Sequence, residues 1–156
     1  MNEKIVLKNH QLTTLDKVLN YNMPFQKGRI KNSFLMIIGP KMKAINEARI
    51  EILESLADKD ANGKSILKTG EDGQSSYSLS DENLAKFVQE HEKLILEDCV
   101  IDNLPSLKVN IPELKQIINN SPIELTPQET ITIENILVAF DGEKKKEVVE
   151  KKTKKK

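Results

Sequence analysis

Apolar positions along this chain follow two patterns, short strand-like runs and helical spacing. Lys4-Ile-Val-Leu-Lys8 is a short β-branched run that predicts an opening strand. Leu12, Leu15, Val18 and Leu19 then recur at helical spacing and predict a helix over 11–21. Asn22 and Pro24 end it, because proline disfavours helical backbone at the residue before it. From Gly28 to about Asp58, one helical face is traced by Ile30, Phe34, Ile37, Ile38, Met42, Ile45, Ile52, Leu53 and Leu56. Gly39-Pro40 interrupts that face. Pro40 removes a donor and crowds the preceding turn, so the helix should kink there, since the apolar phase continues beyond it.

Past Asp58 the period changes. Lys64 to Thr69 and Ser75 to Ser80 predict hairpin strands joined by Gly70-Glu-Asp-Gly-Gln74. Ser80 is a suitable cap for a helix over 81–96, marked by Leu84, Phe87, Val88, His91 and Ile95. Cys99-Val-Ile101 reads as a short buried strand. Leu107, Val109 and Ile111 alternate with polar residues and predict a further extended piece before Pro112. Leu114, Ile117 and Ile118 mark a short helix. The strongest local signal is Thr126-Pro-Gln-Glu129, a capping box with proline at the first helical position. The helix it opens carries Ile133, Ile136, Leu137 and Phe140, and Gly142 can end it.

These elements define an α+β fold, predominantly helical. A long kinked central helix packs with shorter helices at 11–21, 81–96 and 127–140 and a small sheet. With 156 residues, one domain over 1–142 is expected. The remainder, 143–156, has eight Lys, three Glu and little to bury, so it should be disordered. The net charge of zero is therefore a sum of that segment's +5 and a body of 16 basic and 21 acidic residues, or −5.

Composition narrows the function classes. Two Tyr, four Phe and no Trp leave few flat faces for stacking bases or sugars. A lone cysteine permits no internal disulfide and suits a reducing compartment. The start lacks a signal-peptide apolar run and the longest apolar run, Phe34 to Ile38, is too short for a membrane span, so a cytoplasmic protein is expected. Lysine far outnumbers arginine, present only as Arg29 and Arg49, as in products of AT-rich genomes.

Candidate chemistry is sparse. Asp58, Asp60 and Asn62, followed by Gly63, match the first half of a calcium loop, with oxygen ligands at alternating positions and a glycine for the sharp turn. The twelfth position is Thr69 where a bidentate Glu is required, so a plain turn after a helix competes with the metal reading. Cys99 and His91 are a conceivable nucleophile and base, but no third group stands at a telling spacing, and Cys99 sits in an apolar run. His10 reads as a surface residue. The glycines are too dispersed for a phosphate loop, and two His with one Cys nearly exclude closed zinc, so no cofactor is expected. Lys27, Arg29, Lys31, Lys41 and Lys43 cluster along the first half of the long helix, a candidate contact for an anionic partner or nucleic acid. Ordinary solvation is the favoured explanation, and the acidic body further disfavours a dedicated nucleic-acid domain.

The order of features adds a resemblance. A strand leads into a Leu-rich helix, followed by the entry Gly28-Arg-Ile-Lys-Asn-Ser-Phe34. Ala57-Asp-Lys-Asp-Ala-Asn-Gly63 then closes the long helix, and Glu97-Asp-Cys-Val-Ile-Asp102 precedes Ile123-Glu-Leu-Thr-Pro-Gln-Glu129. In layout, residues 4–140 resemble a family of small uncharacterised proteins of tailed phages and prophages of Gram-positive bacteria. Gly39-Pro40 departs from that layout's continuous helix. The resemblance implies a phage or prophage gene expressed in a bacterial cytoplasm and supplies no functional residue. The expected function is non-enzymatic binding of a phage or host protein. A virion component or assembly factor is the first alternative, and weak nucleic-acid association through the basic tail the second.

Overall fold

In the computed structural model, residues 4–141 are described; Gly142 and the Lys/Glu-rich segment lie outside them. Four strands, five α-helices and one 3₁₀ turn follow one another among these residues. In order they are β1 (Ile5–Lys8), α1 (Asn9–Leu19), α2 (Phe25–Leu56), β2 (Leu67–Thr69), β3 (Ser75–Tyr77), α3 (Asp81–Leu96), β4 (Asp98–Ile101), the 3₁₀ turn (Pro105–Leu107), α4 (Ile111–Asn119) and α5 (Pro127–Phe140). The fold is α+β and mainly helical. By contact it divides into two compact units, where the sequence reads as one domain. The first comprises residues 4–42 and 98–141, the second Lys43–Glu97. Helix α2 contributes to both.

The first unit is built on an antiparallel pairing of β1 with β4, in the register Ile5↔Ile101 and Leu7↔Cys99. Period-2 alternation turns Ile5, Leu7, Cys99 and Ile101 to one buried side. The chain passes from β1 into α1 without a loop: Gln11 Oε1 accepts from the Lys8 backbone N–H at 2.8 Å, and this starts the helix two residues before the expected position 11. Helix α1 buries Leu12, Leu15, Val18 and Leu19. Against them come Leu114, Ile117 and Ile118 of α4, and Ile133, Ile136 and Phe140 of α5. Thr126 and Glu129 close their capping box: each side chain accepts from the other's backbone N–H, at 3.2 and 2.9 Å. Lys17 of α1 then binds Glu129 at 2.8 Å, so one carboxylate both caps α5 and ties it to α1. Polar contacts close the ends of α1 and α4. Ser121 Oγ donates to the Val18 carbonyl and Tyr21 Oη to the Ile117 carbonyl, both at 2.6 Å.

Helix α2 supplies this unit with Phe34 and Ile38, both fully buried. The Phe34 ring meets that of Phe140 edge-on, at 6.4 Å and 79°. The helix continues through Pro40 as one element, although Met36 loses its usual N–H partner there.

The extended piece expected around Leu107 is corrected. Pro105–Leu107 is a 3₁₀ turn, Lys108 takes the left-handed conformation with φ 56°, and α4 begins at Ile111. Pro105 favours the turn's first position, and Asn110 Oδ1 caps α4 by accepting from the Glu113 N–H at 3.2 Å. The apolar alternation there reflects two buried anchors, Leu104 and Val109, bridging a turn.

The second unit holds the end of α2, the β2–β3 hairpin and α3. The hairpin register is Leu67↔Tyr77 and Thr69↔Ser75. Its turn uses Gly73 at φ +76°, a conformation that favours glycine. Asn83 Nδ2 donates to the Leu56 carbonyl at 2.9 Å, satisfying an otherwise orphaned acceptor at the end of α2. Ser80 Oγ caps α3, accepting from the Asn83 N–H. Only Ala57, Ser78 and Leu94 are buried in this unit. Its other apolar side chains are half-buried or exposed.

Candidate interaction surfaces

Each residue that the sequence singled out has a definite place. Asp60 Oδ1 accepts from the backbone N–H groups of Asn62 and Lys64, at 2.8 and 3.0 Å. This is an Asx turn, and Gly63 sits in it at φ +77°. Asp58 Oδ2 accepts from Ser78 Oγ at 2.8 Å, while the Asp58 backbone exchanges bonds with Ser78 and Ile66. A hairpin follows the loop, where a calcium-binding loop is followed by a helix. Among the described residues, no group of three or more His, Cys, Asp or Glu side chains is gathered closely enough to hold a metal ion. Asp58 thus ties the segment after α2 to the hairpin, and Asp60 orders the turn between them.

Cys99 is buried in β4. Burial pushes its thiol pKa up, and the nearby Lys41 charge opposes this more weakly, so the thiolate nucleophile is disfavoured. His91 stacks on Phe87 at 5.3 Å within α3. Each side chain is accounted for by its own packing.

The basic residues of α2 do not form one patch. A helix turns about 100° per residue, which puts Arg29 on one side and Lys27 and Lys31 on the other. Lys31 Nζ donates to the Tyr21 carbonyl at 3.1 Å. Lys43 lies 3.8 Å from Glu47, and Lys41 stands near Cys99. Arg29 lies over the Phe25 ring, 5.8 Å from its centroid. Beside this pair is an open cleft of about 450 Å³, lined by Asn22, Met23, Gly28, Lys31 and Asn32 as well. No acidic residue stands between Asp16 and Glu47.

Exposed apolar side chains stand on three helices: Ile131 and Val138 on α5, and two further sets on α2 and α3. On α2, Phe25, Arg29, Asn32 and Met36 fall within one narrow arc, opposite buried Phe34 and Ile38. Phe25 is 77% exposed and Met36 72%, far more than core-forming side chains. On α3, Leu84, Val88 and Leu96 are about half exposed, alongside Asp81, Ala85, Gln89 and Glu92. The apolar pattern that predicts α3 includes Leu84 and Val88, whereas the one that predicts α2 includes neither Phe25 nor Met36. The signal was present: both lie off the apolar phase set by Phe34 and Ile38.

No helix among the described residues is long and apolar enough to cross a membrane. Comparison with protein-family models, with curated proteins and with solved structures finds no match for this chain.

Proposed function

We propose that this chain is a non-enzymatic accessory protein of a phage or prophage, acting in the bacterial cytoplasm by binding another protein. The observation that carries the reading is the pair of exposed apolar helix faces, Phe25 and Met36 on α2 and Leu84, Val88 and Leu96 on α3. Large apolar side chains left in water at helical spacing mark a surface that gains free energy when covered. The Cys99 and His91 environments support the non-enzymatic part: a buried thiol of raised pKa and a ring-stacked imidazole are poorly poised for nucleophilic chemistry. The layout resemblance supplies the phage context. The test is capture of partners by the tagged full chain, with and without nuclease, from a Gram-positive lysate during phage growth. A stoichiometric protein retained after nuclease supports the reading. Binding abolished by nuclease transfers the function to nucleic-acid association.

A further inference from the structure

We infer that the chain associates with a second copy of itself, the exposed face of α3 from one copy lying antiparallel along the exposed face of α2 from the other. The inference rests on the protein-binding reading and names its partner.

The two faces match in length. At about 1.5 Å per residue, Phe25 to Met36 spans about 16 Å and Leu84 to Leu96 about 18 Å. They also match in charge. The α2 face holds Arg29 and no acid, while the α3 face holds Asp81 and Glu92 and no base. Lys86 and Lys93 flank this face on its Gln89 side and are held by Glu82 and Glu90 at 2.8 Å. Neither Arg29 nor Glu92 has an ion-pair partner among the described residues.

The antiparallel direction follows from the spacing. With Phe25 set against Leu96, Arg29 falls opposite Glu92, since each lies four residues inward. Asn32 then faces Gln89, and Met36 reaches Leu84 and Ala85. A parallel alignment with Phe25 at Leu84 sets Arg29 against Val88 and leaves both charges unmatched. Pairing two α3 faces confronts acid with acid, which electrostatic complementarity disfavours. Each copy carries one face of each kind, so every copy can both offer and accept the contact.

The test is sedimentation equilibrium of the full chain from micromolar to several hundred micromolar, on wild type, Arg29→Glu and Glu92→Arg. Wild type should show a mass rising with concentration. Each charge reversal should weaken association about tenfold or more. An equimolar mixture of the two variants should associate better than either alone, because each then meets its complement; this restoration also shows that both variants fold. A wild type that stays monomeric overturns the inference. So does association indifferent to the single reversals, or a mixture no better than its components. If self-association fails while lysate capture still returns a stoichiometric protein, the protein-binding reading stands and only the identity of the partner falls.

Discussion

Replacing Phe34 with alanine should be among the most damaging single changes in the first unit. Its side chain is fully buried, and its ring meets Phe140 edge-on at 6.4 Å. Truncating a buried Phe costs about 3–5 kcal/mol, combining lost transfer free energy with the cavity left behind. The edge-to-face ring contact accounts for about 0.5–1.5 kcal/mol of that. A domain with about 5–15 kcal/mol in total can lose most of its margin. Phe34→Leu keeps much of the volume and loses the ring contact, so it should cost about 1–2 kcal/mol. Met36→Ala, two residues along the same helix, is the control. Met36 is 72% exposed, so its truncation should change stability by less than about 0.5 kcal/mol. Urea titration followed by far-UV circular dichroism reads all three, provided the slope stays constant. A Phe34→Ala midpoint no lower than that of Met36→Ala refutes the assignment of core and surface on α2.

Three further outcomes follow from named groups. Lys17, and then the Thr126 backbone N–H, hold the Glu129 carboxylate below its ordinary pKa. A lowered folded pKa gives stability that is present above the unfolded value and lost as pH falls through the folded one. Wild type should therefore lose stability on acidification more steeply than Glu129→Gln, and parallel pH profiles of the melting temperature contradict the charge-assisted hold of Lys17 on Glu129. Gly39→Ala should stabilise the chain by about 0.5–1 kcal/mol, because a Cβ there meets nothing within 4 Å and helical glycine carries an entropic cost; a lower melting temperature rules this out. Cys99 should react with a thiol-specific disulfide reagent far more slowly in the native chain than in urea, since it is buried and its thiol pKa is raised. Equal rates contradict its placement in β4.

Where the chain's chemistry is local, its structure was readable in advance. Thr126-Pro-Gln-Glu129 opens α5 because cap, proline and reciprocal carboxylate act within four residues. Ser80 opens α3, and Gly70 to Gly73 turn the hairpin, for the same kind of reason. The pairing of β1 with β4 was out of reach. Two four-residue strands joined across most of the chain carry no local mark of their register. The 3₁₀ turn at Pro105–Leu107 was mistaken for a strand because alternating apolar residues look alike in both. The division into two units was hidden by α2, whose apolar phase runs on through Gly39-Pro40 from one unit into the other. The surfaces were only partly legible. A stripe such as Leu84, Phe87, Val88, His91 and Ile95 announces an apolar side, and whether the protein itself covers that side depends on distant elements.

The claim that exposed helix faces carry the function is tested most directly by substituting them. Tagged wild type and a Met36→Asp, Val88→Asp variant should be compared for capture of proteins from a lysate that also holds untagged copies of the chain, after circular dichroism shows equal helix content. The account predicts that wild type retains a stoichiometric protein, its own untagged copy or another, and that the variant loses it. Retention of the same protein by both would contradict it.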